Sequence, residues 1–299
     1  MSQLTSLVRR IRHGLAAWRS WPDARLGLAP GRKPAPGRKP VIVSLTTIRE
    51  RLARIHFTIE SLLRQTSRPD RLILWLDDRL AGGIPDRLRR QTRRGLEIRL
   101  AEDIGPHGKI IHALEEFPEC SIVTADDDTL YPKRWLGELL AAQERAGRAI
   151  TCHRAHRMLT DEAGQLLPYR QWDGLSPGCT GPSLRLFPTG VGGVLYPPHV
   201  LSPEVFNRDV FRKICPTADD VWLKVMSLLN NVPCQKVRPF SMDWPLVRGT
   251  QHKTLSTGNV KNGQNDVQLR AVFDHYELDS LLRAREFRFC RCVASIRLG

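Results

Sequence analysis

No apolar run of about eighteen residues occurs anywhere in this 299-residue chain, so nothing in it reads as a membrane span. Residues 1–25 also lack the continuous apolar stretch of a secretory leader. None of the seven cysteines (Cys120, Cys152, Cys179, Cys215, Cys234, Cys290 and Cys292) belongs to a CxxC pair, and so odd and scattered a set argues against both a disulfide framework and a zinc site. From these absences we expect reduced thiols and a cytoplasmic protein. A basic, aromatic strand motif of the kind used by RNA-binding sheets is missing too. Positive charge, by contrast, is abundant, with a net +15. It lies mostly at the ends: residues 1–40 hold nine Lys/Arg and one acid, and residues 283–299 hold five Arg and one acid. The centre is only weakly basic, so no nucleic-acid partner is expected for it. With 41% hydrophobic and 26% charged residues, the chain can bury one well-packed domain.

The two extensions have their own character. Leu4, Leu7, Val8, Ile11, Leu15 and Trp18 recur at helical spacing, while Arg9, Arg10, Arg12 and Arg19 fall largely on other faces. This predicts a cationic amphipathic helix over residues 1–20, suited to peripheral contact with an anionic membrane surface. A surface helix packed on its own domain, or a basic tail, fits the same pattern. PGRKPAPGRKP then reads as a semi-rigid linker that sets a boundary near residue 40. Residues 283–299 mix Phe287, Phe289, Val293 and Ile296 with arginines and form a basic tail.

Between them, residues 41–282 read as an α/β domain. VIVSLTT (41–47), RLILWL (71–76), LEIRLAE (96–102) and CSIVTA (120–125) are predicted strands. Leu52, Ile55, Ile59, Leu62 and Leu63 are spaced for a helix that covers a sheet, and residues 84–95 for a second helix closed by Gly95. A turn at Gly105–Lys109 leads into a short third helix. Strands alternating with helices imply a mostly parallel sheet, which binds ligands beyond its strands' carboxyl ends. The second half is less regular, with a glycine cluster at 190–193 and a helix from Asp219 to Asn230 that opens on two acids.

The fourth strand ends in Asp126, Asp127 and Asp128. Three adjacent carboxylates repel one another, and a hard divalent cation resolves the conflict. Mg²⁺ in particular takes one or two carboxylates plus substrate phosphates. The triad thus points to a metal-assisted site for a phosphorylated substrate; a solvated acidic turn or helix N-cap is the other reading.

Several ordered elements then add up: VSLTT, Gln65 with Pro69 and Asp70, Gly105-Pro106 with Lys109, TADDD-x-x-YP, GVGGVLYPP, ADDVWL, and Asn265-Asp266-x-Gln268. Over residues 41–270 the chain resembles GT-A glycosyltransferases related to family two, of the bacterial surface-polysaccharide type. The resemblance implies a Rossmann-like nucleotide-diphospho-sugar transferase fold and an inverting, Mn²⁺- or Mg²⁺-dependent transfer. The donor would be a nucleotide sugar and the acceptor a hydroxyl of a glycan or lipid-linked glycan. Asp126 and Asp128 would match the DxD motif, with Asp128 on the metal, Asp126 toward the nucleoside and Asp127 a second candidate. Lys109 would add charge at the diphosphate, a surface lysine being the other reading, and Gly192 and Gly193 would let backbone approach donor or acceptor, with a tight β-turn or packing glycines an equal alternative. Asp220 would be the base with Asp219 as orienter or runner-up, although the usual Glu of that pair is Asp219 here. Late in the chain, His252 would complete the metal site, and Trp222 would stack on a sugar or belong to the core. Asn265, Asp266 and Gln268 match without a physical role. The competing readings are a sugar-phosphate nucleotidyltransferase, disfavoured because VSLTTIRERLAR holds no Gly-rich basic loop, a non-catalytic glycan binder, and a basic nucleic-acid-binding protein.

Overall fold

The computed structural model describes residues 39–250 and 263–279. The predicted amphipathic helix, most of the linker, the basic tail and His252 lie outside the described residues.

The first half alternates as the sequence suggests. Strands β1 (Val41–Thr46), β2 (Arg71–Asp77), β3 (Leu96–Ala101) and β4 (Ser121–Thr124) are joined through helices α1 (His56–Leu63), α2 (Asp86–Thr92) and α3 (Gly108–Glu116). Five further strands follow: β5 (Ile150–Cys152), β6 (Ala155–Arg157), β7 (Leu186–Pro188), β8 (Val194–Tyr196) and β9 (Cys234–Lys236). The later helices are α4 (Trp135–Ala146), α5 (Arg208–Ile214), α6 (Asp219–Leu229) and α7 (Gln264–His275). Seven strands form one sheet in the order β3-β2-β1-β4-β8-β5-β9. Pairs β1–β2, β2–β3, β1–β4 and β5–β9 are parallel, whereas β8 runs antiparallel to both β4 and β5. Strands β6 and β7 make a separate antiparallel pair. The protein is therefore α/β with a mostly parallel central sheet, and no helix of the described residues is long and apolar enough to cross a membrane.

Side-chain alternation explains why the early strands are apolar throughout. Val41, Val43 and Leu45 of β1 pack with Ile59 and Leu62 of α1 and Leu136 and Leu139 of α4. Ile42 belongs to the opposite layer, with Ile110 and Ile111 of α3 and Trp222 of α6. A sheet buried on both faces needs apolar residues at every position. Trp222 is fully buried, and its indole N–H donates to the Val205 carbonyl at 3.1 Å, so its place is in the core and not against a sugar.

Strands β1 to β3 wind to one side, and the chain then crosses over through α3 to place β4 on the far side of β1. The carboxyl ends of β1 and β4 thus form a topological switch point, where open α/β sheets bind ligands.

The glycine cluster makes a 3₁₀ turn (Gly190–Gly192) into β8. The two glycines expected to admit a ligand instead admit protein. A Cβ on Gly193 would lie 2.4 Å from the Trp135 ring, and one on Gly192 would lie 2.8 Å from Arg154 Cβ. The Trp135 indole donates to the Gly192 carbonyl at 2.8 Å, which locks the turn onto α4. Gly193 also has φ +88°, which disfavours any side chain. Gly193→Ala should therefore lower unfolding stability by about 2–4 kcal/mol through overpacking and strain. Gly174→Ala, whose Cβ meets nothing within 4 Å, should be near neutral. Chemical denaturation of both variants checks this, and equal stabilities would refute the packing role.

Candidate functional site

The loop after β4 sends three consecutive carboxylates to different partners. The Asp126 backbone N–H donates to the Tyr131 hydroxyl at 2.8 Å, turning the chain sharply. The Asp126 side chain then meets Lys109 Nζ at 2.8 Å. Asp127 turns toward β1: the Thr47 hydroxyl donates to it at 2.5 Å and the Arg51 guanidinium at 2.6 Å. Its carbonyl accepts from the Thr58 hydroxyl at 3.0 Å. Asp128 shares the same guanidinium at 3.1 Å, while its carbonyl accepts the Val247 N–H at 2.7 Å. Burial pushes the Asp127 carboxyl up, against the pull of Arg51 and Thr47.

Lys109 stands in the first turn of α3. The Ser44 hydroxyl of β1 donates to its carbonyl at 2.5 Å and accepts the Trp75 indole N–H at 2.9 Å, so the helix start is tied to the sheet. Lys109 is only 8% exposed, so it is not an ordinary surface lysine. Besides Asp126, its ammonium meets Asp219 at 2.9 Å. Burial alone would discharge it; the carboxylates of Asp126, Asp219 and Asp220 outweigh that and hold it charged, well above the usual lysine range.

Asp219 and Asp220 open α6. The turn before them is clamped by Gln268 of α7: its amide oxygen accepts from the N–H groups of Thr217 at 2.9 Å and Ala218 at 3.1 Å, and its NH₂ donates to the Thr217 hydroxyl at 2.9 Å. That gives the unexplained Gln268 a physical role, and Asp266 beside it accepts the Tyr169 N–H at 2.6 Å. A second tie comes from His107, whose ring stacks on Phe211 at 4.2 Å and whose Nε2 lies 2.8 Å from the Cys215 carbonyl. Both oxygens of Asp220 accept the Gly190 N–H at 3.0 Å. Burial and the neighbouring Asp219 charge push the Asp220 carboxyl up to about 7. Gly190 is the glycine of the cluster that lies among the acids. A Cβ there would sit 3.0 Å from Lys109 Nζ, 3.1 Å from Asp220 and 3.5 Å from Asp126.

The structure thus brings Lys109, Asp126, Asp219 and Asp220 together, with Asp127 and Asp128 alongside on Arg51. Gly192 and Gly193 are not in this group. Three contributors escaped sequence reasoning. Arg51 looked like any arginine of a polar turn, Gly190 was one glycine among several, and Thr47 lay in a recognised motif without an assigned partner.

A cleft of about 290 Å³ opens at the carboxyl ends of β1, β2 and β3; none of the five aspartates and not Lys109 lines it, and Thr47 is its link to them. Thr47, Ile48, Trp75, Asp77, Ala101 and Gly105 are among its lining residues. Thr47 therefore faces the cleft and holds Asp127, which joins the two halves of the site.

Do these residues fit a divalent cation? Among the described residues no group of three or more His, Cys, Asp or Glu side chains is arranged to hold one unaided. A hard cation completed by ligand phosphates needs one or two carboxylates. Asp126 and Asp128 are the carboxylates that could meet it, each exchanging a present partner for the cation: Asp126 is held by Lys109 at 2.8 Å, and Asp128 by Arg51 at 3.1 Å and by the Thr129 hydroxyl at 3.4 Å, while Asp127 is held most tightly, by Thr47 and Arg51. The donor set is all oxygen, and five carboxylates converge here with one ammonium and one guanidinium. The site fits a cation shared with a ligand and does not fit an autonomous metal cage.

No protein-family model and no curated protein matches the chain. Among solved structures it is similar to CMP:2-keto-3-deoxy-manno-octonic acid synthetase complexed with CTP, at 12% identity and a TM-score of 0.40, covering 70% of this chain and 93% of that one. A likeness so distant says nothing of substrate or activity.

The raised Asp220 carboxyl makes stability depend on pH. Between about pH 4, where a free aspartate loses its proton, and about 7, the folded protein retains a proton that the unfolded chain has released. Stability against denaturant should therefore be highest at the acid end of that window and fall as the pH rises through 7. Asp220→Asn should flatten the slope, and an unchanged slope would show that Asp220 titrates normally.

Proposed function

We propose that the protein is a glycosyltransferase of GT-A type, moving a sugar from a nucleotide diphosphate to an acceptor hydroxyl. The observation that carries this reading is one convergence: Asp126, Asp128, Lys109 and the high-pKa Asp220 lie together at the switch point of a mostly parallel sheet, beside an open cleft. The cleft suits a nucleoside, with Asp77 at the end of β2 and Ile48 and Trp75 offering polar and apolar contacts. Lys109, at the start of α3, adds a fixed positive charge where the diphosphate would lie.

Asp220 is the base of this reading. As carboxylate it takes the proton of the acceptor hydroxyl while that oxygen attacks the anomeric carbon; the bond from that carbon to the diphosphate oxygen breaks, and the nucleoside diphosphate leaves with the electron pair. A base that titrates near the working pH combines adequate basicity with availability in the charged form. Asp219, held by Lys109, orients the helix start. Asp128 and Asp126 would hold Mn²⁺ or Mg²⁺, whose chemistry when bound is Lewis-acid neutralisation of the departing diphosphate, so that the leaving group needs no proton. On this reading Asp220 would serve the acceptor and Lys109 the donor diphosphate, the base and the positive charge that an inverting displacement needs. A glycan or lipid-linked acceptor, surface-polysaccharide synthesis and work at the inner face of a membrane follow from the resemblance in the sequence.

Binding of UDP, GDP, CDP and TDP with and without Mn²⁺ tests the proposal. We expect one nucleotide to bind in a metal-dependent manner and Asp128→Ala to weaken that binding at least tenfold. No binding under any condition would return the triad to an acidic turn. With donor and acceptor supplied, release of pyrophosphate in place of nucleoside diphosphate would instead favour a nucleotidyltransferase.

A further inference from the structure

One short run of the described domain is dense in positive charge. Residues 84–95 hold Arg87, Arg89, Arg90, Arg93 and Arg94 against the single acid Asp86. On α2 the inner positions are the buried Leu88, Gln91 and Thr92, so the arginines take the outer face and the C-terminal end, and all five are exposed. Arg94 meets Glu60 at 2.5 Å, and Arg87 lies 3.1 Å from the His56 ring. Among the described residues Arg90 and Arg93 form no ion pair. Arg89 and Arg90 lie in the last turn, where the helix dipole favours cations, so the row is compatible with its helix and leaves Arg90 and Arg93 to a counter-charge from outside.

Apolar surface adjoins the row. Phe57 of α1 is 48% exposed, and its ring lies 4.1 Å from that of His56, the same ring that meets Arg87. The Gln91 side chain donates to the His56 carbonyl at 2.9 Å, which fixes α2 against α1. Ile48, earlier in the chain and 44% exposed, lines the cleft. An arginine face flanked by an exposed aromatic ring has the chemistry of an interfacial helix, in which cations meet acidic headgroups and the ring enters the acyl boundary.

We propose that the outer face of α2, with Phe57 of α1, docks the protein on an anionic lipid surface. The charge is complementary to acidic headgroups, and the exposed ring has a use at a bilayer that a phosphate backbone alone would not give it. The cationic segment at residues 1–20 offers a membrane the same chemistry, with Trp18 in it and Trp21 just after it. The proposal rests on charge and exposure and stands apart from the reaction proposed above.

Vesicle co-sedimentation of the full chain tests it, with phosphatidylcholine alone and with about a third phosphatidylglycerol, at moderate salt. Arg90→Glu/Arg93→Glu should weaken partition onto the anionic vesicles at least tenfold. Phe57→Ser should weaken it several-fold. Arg145→Glu/Arg148→Glu, an exposed pair on and just after α4 with the same change in net charge, should leave it within twofold. Equal losses in the two double variants, or no loss in the first, would overturn the proposal. It would also fall if a single-stranded RNA bound the wild type and lost affinity in Arg90→Glu/Arg93→Glu while vesicle binding did not change. Circular dichroism confirms that each variant is folded.

Discussion

The Lys109 ammonium is the interaction on which the site depends. It joins Asp126, on the loop after β4, to Asp219, at the start of α6, and so ties the regular first half of the chain to its irregular second half. Breaking a buried pair by removing one partner costs about 3–5 kcal/mol, because the charge left behind has lost its water. Here the loss would expose two carboxylates to each other and to Asp220. The surrounding structure is arranged to hold this one cation: Ser44 fixes the backbone of α3, His107 ties the preceding turn to Cys215, and Gln268 fixes the turn that presents Asp219. Gly190 leaves the space in which these groups meet.

The fold was largely legible because the first four strands are buried on both faces. Continuous apolar runs and intervening helical periodicity gave their order, and the parallel pairing followed. The reading was less accurate at the start of α1. Leu52 and Ile55 have helical spacing and are buried, yet the chain there makes a 3₁₀ turn (Arg49–Arg51) and the α-helix begins only at His56. Periodicity reports which residues face the core and is nearly blind to which tight helix does so. Strands β5 to β9 have three residues each, too few for alternation to rise above the surrounding sequence.

The site was legible as a set of acids and illegible as a set of pairs. Asp126–Asp128 and Asp219-Asp220 stood out because adjacent carboxylates are costly without a reason. Their partners did not. Arg51 is 76 residues from Asp127 in sequence, and nothing local separates it from Arg49 or Arg54. The glycines misled for a related reason. A glycine reports that something comes close, and the sequence does not say whether that is a ligand or Trp135. Gln268 was visible within a recognised element, but its bonds to the start of α6 required both helices to be placed.

The same charge balance bears on both the base and the leaving group. Among the described residues four carboxylates pair with Lys109 and Arg51, and a fifth, Asp220, is pushed up to about 7 by burial and by its neighbour Asp219. A diphosphate entering such a site would add negative charge to an existing surplus, and Coulomb repulsion in a partly buried cleft is screened poorly. On the proposed reading the donor therefore has to arrive with positive charge of its own, which is the electrostatic reason to expect nucleotide and divalent cation to bind together and each to bind poorly alone.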